Sequence, residues 1–68
     1  MRRYQFHREG ALVWSLVFDK NLDRWCIETW EPGRERVNLS LAEFETSSDG
    51  KKLSEQLAEA LREAEADL

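Results

Sequence analysis

The sequence predicts an α+β domain: a four-stranded antiparallel meander in the order 1-2-3-4, with a C-terminal helix packed on one face. Three observations carry this. Turn-forming stretches at Arg8 to Gly10, Asp19 to Asp23 and Pro32 to Arg34 divide the first forty residues into four runs of period-two character. Hairpin registers drawn through these turns place the apolar residues of all four runs on one side. A capping box then precedes a stretch with helical apolar spacing.

The first hairpin is expected to close His7 opposite Ala11 through a three-residue loop. That loop ends in Gly10, where a left-handed conformation suits glycine. Phe6 then faces Leu12 and Tyr4 faces Trp14. The second closes Asp19 opposite Arg24, pairing Phe18 with Trp25, Leu16 with Ile27 and Trp14 with Thr29. The third closes Glu31 opposite Glu35 around Pro32-Gly33-Arg34, a sequence suited to a type II turn. It pairs Thr29 with Val37 and Ile27 with Leu39. One face then collects Tyr4, Phe6, Leu12, Trp14, Leu16, Phe18, Trp25, Ile27, Val37 and Leu39. A slip of one residue would turn a strand's apolar set outward, so agreement among the registers is informative.

Ser40-Leu41-Ala42-Glu43 is the capping box, with a short helical turn expected over 41–46. Ser48 or Asp49 is expected to cap a second helix over 50–66. Its apolar positions are Leu53, Leu57, Ala60, Leu61, Ala64 and Leu68, a narrow stripe suited to covering the sheet. As a single helix it would carry Lys51 and Lys52 in its first turn and Asp67 in its last, against the helix dipole. Glu55, Glu59, Glu63 and Glu65 fall outside the stripe as a solvated face. No repeat or linker interrupts the chain, so residues 1–68 read as one domain with its sheet over 2–39.

The same registers assign a second face: Arg3, Gln5, His7, Val13, Ser15, Val17, Cys26, Glu28, Trp30, Arg36 and Asn38. One row reads Gln5, Val13, Trp30, Arg36, and the next Arg3, Ser15, Glu28, Asn38. Trp25 and Trp30 have opposite parity and point to opposite faces. The helix covers only one face, so Trp30 has no cover in this arrangement except Arg36, which can stack on its ring.

Composition narrows the function classes. The chain has 68 residues, and a domain of that size buries only about 60% of its unfolded surface. Its single cysteine, Cys26, excludes an intrachain disulfide, and its single histidine, His7, excludes a Cys/His zinc site within one chain. A second subunit is the remaining staple. The apolar run from Ala11 to Phe18 is too short to span a bilayer, and the N-terminal segment lacks the pattern of a signal peptide. With one free thiol, the expectation is a cytoplasmic protein. Net charge is −4, divided unevenly: seven basic and six acidic residues over 1–39 against three and eight over 40–68. The bulk basic footprint of a nucleic-acid binder is missing.

No cluster presents itself for catalysis. His7 lies rows away from Ser15 and Glu28, whereas a general base needs its partner within reach. Cys26 is a mid-strand residue without an assured cation beside it. There is no glycine-rich phosphate loop, metal-ligand spacing or nucleophile motif, so no cofactor or metal is expected. The leading expectation is a non-catalytic interaction module, a homodimer or a binder of another protein, contacting through Val13, Val17, Cys26, Trp30 and Arg36. Aromatic residues and arginine are enriched at such interfaces. The alternative is single-stranded nucleic acid held by Arg3, Trp30, Arg34 and Arg36. A small enzyme ranks last.

The order of elements around Pro32-Gly33-Arg34-Glu35-Arg36-Val37-Asn38-Leu39-Ser40, a turn and strand leading to a capped helix, resembles the single-strand-binding domain of the transcriptional coactivator positive cofactor four. The resemblance covers about the middle third of the chain. It rests on one turn and one cap, so it implies a related architecture and no residue role.

Overall fold

In the computed structural model, which describes residues 3–67, a four-stranded antiparallel sheet runs in the order β1-β2-β3-β4. Its strands are β1 (Arg3–Glu9), β2 (Leu12–Asp19), β3 (Arg24–Trp30) and β4 (Val37–Ser40). Three helical segments follow: α1 (Leu41–Thr46), α2 (Ser48–Lys52) and α3 (Ser54–Ala66). Arg2 and Leu68, which the sequence reading placed at the sheet's start and in the helix stripe, lie outside the described residues.

The second and third registers are those expected. Phe18 pairs with Trp25, Leu16 with Ile27 and Trp14 with Thr29. Ile27 pairs with Leu39 and Thr29 with Val37. The third ladder stops there and does not continue to Glu31 and Glu35. Closing that pair would set two carboxylates side by side, which is unfavourable. The Pro-Gly turn itself forms: Arg34 N–H donates to the Glu31 carbonyl at 3.2 Å, and Gly33 has φ +83°, as the third position of a type II turn requires.

The first hairpin differs from expectation, for a reason that can be traced. Glu9 pairs with Leu12, so the loop is two residues, Gly10-Ala11. Gly10 alone takes a positive φ, 59°, the φ pattern of a type II′ turn. This tighter turn shifts β1 by an odd number of residues and inverts its faces beside the turn. His7 therefore pairs with Trp14 and Arg8 with Val13. A bulge between Gln5 and His7 then inserts one extra residue, Phe6, and reverses the inversion. Beyond it Tyr4 pairs with Leu16, Gln5 with Ser15 and Arg3 with Val17. Tyr4 and Phe6 remain on the core side as expected. His7 joins them there, and Arg8 takes its place on the second face.

The core lies between the sheet and the helices. Trp14, Leu16, Ile27, Phe44, Leu53, Leu57, Ala60 and Ala64 form one buried cluster, with Tyr4, Phe6, Leu12, Trp25, Leu39, Leu41 and Leu61 packed against it. Phe6 meets Phe44 edge-on, centroids 6.0 Å apart. Tyr4, Trp25 and Phe18 form a second aromatic run. The Tyr4 hydroxyl donates to Asp67 at 2.8 Å, tying the end of α3 to β1.

Ser40 and Glu43 form the expected capping box. The second helix, expected as one piece over 50–66, begins at Ser48 and breaks at Leu53, whose φ and ψ are −106° and 17°. Its cap is Ser47 rather than Ser48 or Asp49: the Ser47 hydroxyl accepts from Gly50 N–H at 3.0 Å. The break changes the dipole bookkeeping. Lys51 and Lys52 fall in the last turn of α2, and Glu55 in the first turn of α3, both favourable placements. Gly50 allows α2 to pack closely on the end of α1. A Cβ there would lie 1.7 Å from the Phe44 carbonyl oxygen and 2.6 Å from its carbon, both backbone atoms that cannot swing aside. Gly50→Ala is therefore expected to destabilise the domain by about 3 kcal/mol, the upper part of the usual overpacking range. Urea unfolding measures it, and a loss comparable to Gly10→Ala would contradict the packing described here.

Candidate functional site

With the core face under the helices, attention falls on the second face. The alternation of β2 and β3 places Ser15, Val17, Cys26 and Glu28 there, and all four are buried. No secondary-structure element covers them. They are short side chains, or in Glu28 a tethered one, in the two central strands, and longer side chains from the outer strands lean over them.

Glu28 anchors that cover. Its side chain is only 9% exposed, and Arg3 from edge strand β1 grips it with both guanidinium ends: Nη1 to Oε1 at 3.0 Å and Nη2 to Oε2 at 3.1 Å. Such a fork-to-fork pair fixes geometry as well as charge. Arg36 approaches from the opposite edge, its Nε 3.9 Å from Oε1. The Arg36 guanidinium carbon also lies 5.6 Å from the Trp30 ring centroid, within reach of a cation–π contact. Among the described residues, no buried side-chain nitrogen or oxygen lacks a hydrogen-bond partner.

The Arg3–Glu28 pair divides the face into two depressions. One, about 510 Å³, has Val17, Cys26 and Phe18 among its lining residues, with Arg3, Lys20, Arg36 and Asn38 at its rim. The other, about 430 Å³, is lined by Arg3, Gln5, Arg8, Val13, Ser15, Glu28 and Trp30. Of the residues expected to form an interface, Val17 and Cys26 are buried at 7% exposure each and lie on the floor. Val13 is half-buried, Arg36 is exposed, and Trp30 is exposed at 37%. Of the arginines considered for nucleic acid, Arg3 and Arg36 come together over Glu28. Arg34 does not join them: it pairs with Glu31 at 2.9 Å across the turn and lines neither depression. Arg8 and Lys20 were missed. Arg8 reaches the face through the two-residue turn, which a glycine at the first loop position could have signalled.

His7 belongs elsewhere. Its ring lies 5.2 Å from Trp14 on the core side, and its Nε2 is 3.2 Å from Glu9. Glu9 also accepts from Lys52 Nζ at 3.1 Å, joining the first hairpin to the end of α2. The hydrogen bond from Lys52 chiefly, with that from His7 second, holds the Glu9 carboxyl below its ordinary range. The described residues contain no group of three or more His, Cys, Asp or Glu able to hold a metal, and no helix long and apolar enough to cross a membrane.

No family model, curated protein or solved structure matches this chain.

Two outcomes follow from this geometry. Arg3→Ala strands a buried carboxylate from its bidentate partner and is expected to cost about 2 kcal/mol. Arg36→Ala, which removes a longer and more exposed contact, is expected to cost less than about 1 kcal/mol. Chemical denaturation of both variants checks the order, and Arg36→Ala as the more damaging change would contradict it. For Glu9, a lowered folded pKa means stabilisation that is present above the unfolded pKa and is lost as pH falls through the folded value. Lys52→Ala should therefore melt below the parent at neutral pH. The gap should close on acidification past the Glu9 titration, followed by carboxyl NMR; a gap that widens in acid would contradict the assignment.

Proposed function

We propose that this chain is a non-catalytic protein-interaction module whose contact surface is the Trp30 end of the second sheet face. The observation that carries this reading is Trp30 itself: a large indole, 37% exposed at the end of β3, touched from outside only by its own Arg36 among the contacts described. Tryptophan and arginine together are the residues that most often dominate binding energy at protein interfaces. The half-buried Val13, paired directly with Trp30, extends the apolar contact.

The non-catalytic part of the proposal is supported by separation of the reactive groups. His7 sits on the core side of the sheet, while Ser15 and Cys26 sit on the other. The Cys26 thiol is buried and free, in keeping with a protein of the reducing cytoplasm. A second copy of the chain is among the partners such a surface admits.

A second reading is single-stranded nucleic acid, with Trp30 as a stacking platform and Arg3, Arg8 and Arg36 facing phosphates. The grouping of these arginines on one face favours it. Arg34 plays no part in that version. Against it, Trp30 is the only exposed aromatic on this face among the described residues, whereas successive bases need successive platforms.

Comparison of parent and Trp30→Glu protein as bait, by quantitative cross-linking in the native host together with sedimentation at micromolar concentration, tests the proposal. A partner, or a dimer, that the parent retains and the variant loses supports it. Identical cross-link profiles from two well-folded monomers would refute it.

A further inference from the structure

We propose that the occupant of this sheet face is an acidic polypeptide segment, recognised by carboxylate pairing to Arg36 and Arg8 with an apolar side chain set against Trp30. This deepens the reading above and depends on it.

The charge arrangement points to this occupant. Arg3, Arg8, Lys20 and Arg36 line the two depressions. Two carboxylates accompany them. Glu28 is held in a two-point grip by Arg3. Asp19 turns toward its own loop, where it accepts from the backbone N–H groups of Asn21 and Leu22. The face is therefore cationic overall, while the exposed side of α3 carries Glu55, Glu59 and Glu63. A complementary partner is acidic.

Arg36 is placed to do the recognising. Only its Nε approaches Glu28 among the contacts described, at a loose 3.9 Å, and its side chain is 53% exposed. This exposed guanidinium has N–H donors in the fork geometry that fits a carboxylate. Trp30 beneath it limits its rotamers, so less freedom is lost on binding. The Glu28–Arg3 pair shows the same bidentate chemistry already at work on this face.

Other occupants fit less well. A second copy joined face to face by a two-fold axis would set this cationic patch against the same cationic patch, a repulsive arrangement. A second copy docking its acidic α3 here would make a head-to-tail contact, which builds rings or open chains of several copies. A nucleic-acid strand would find one exposed stacking ring among the described residues.

Fluorescence anisotropy with three labelled probes tests the proposal. They are a peptide of about ten residues made of Asp and Glu with two Phe, its counterpart with every acid replaced by the amide, and an oligothymidylate. The acidic peptide is expected to bind with a dissociation constant of about 10–100 µM, weakening with salt, and the amide peptide at least about tenfold more weakly. Arg36→Glu should lower acidic-peptide affinity by about tenfold or more, Arg8→Glu should lower it in the same direction, and Arg62→Glu on α3 should leave it unchanged. Two exposed sites keep the test valid if one variant folds poorly.

Equal binding of acidic and amide peptides, lost with Trp30→Ala but not with Arg36→Glu, would overturn the acidic occupant and leave the sheet-face reading standing. Binding of oligothymidylate alone, concentration-dependent chains in sedimentation, or no binding of the acidic peptide at millimolar concentration would each overturn the proposal.

Discussion

The ion pair between Arg3 and Glu28 is the constraint on which the second face depends. A sheet with one layer of helices has one face without a covering element, and here that face carries two central strands of small or apolar side chains. Without cover, Val17 and Cys26 would meet water. Arg3, drawn across them from the edge by a buried carboxylate, supplies cover from within the sheet. Its charged head is satisfied by Glu28. The cost of burying Glu28 is met by the same contact. Removing either partner therefore damages both packing and charge balance, in keeping with the general behaviour of buried pairs.

Arg36 extends the arrangement to the other edge and links it to Trp30. The contact is longer and the side chain more exposed, so it contributes less to stability and remains more available. The division of labour between the two arginines is the basis of the functional reading. One is committed to the fold, and the other is held near Trp30 with its side chain largely exposed. On the helical side, the groove lined by residues such as Gly50, Leu57 and Leu61 contains no aromatic among the described residues and has Lys51 and Glu45 beside it.

Much of this was legible in the sequence because side-chain alternation in a strand has a period of two. Leu16 and Ile27 could not both face the core unless Ser15, Val17, Cys26 and Glu28 faced away, and the registers of β2, β3 and β4 followed. The hidden part of β1 was hidden for a specific reason. A two-residue turn and a one-residue bulge cancel, so Phe6 and Tyr4 face inward with or without them. The apolar pattern cannot distinguish the two cases, and only the polar residues His7 and Arg8 change sides. The break at Leu53 was masked in the same way, since Leu53 and Leu57 keep helical spacing across it. The close approach of Gly50 to the Phe44 carbonyl, which packs α2 on α1, is a tertiary contact that spacing does not reveal either. The expected row of Arg3, Ser15, Glu28 and Asn38 was wrong at its first member: Gln5 pairs with Ser15, and Arg3, opposite Val17, reaches Glu28 only through its long side chain. What alternation could not convey was that long side chains would lie down across the row and close it.

Trp30 is exposed at the end of β3, while Cys26 and Glu28 on the same face of that strand are buried and Glu28 is held by Arg3 and Arg36. Solvent isotope shifts of 5-fluorotryptophan resonances, assigned by single Trp→Phe substitutions, test this directly in the monomer. The account predicts the smallest H2O/D2O shift for Trp14, an intermediate one for Trp25 and the largest for Trp30, with the Trp30 shift rising further when Glu28→Gln loosens Arg36. A Trp30 as shielded as Trp14 in the free monomer, or one indifferent to Glu28→Gln, would contradict it.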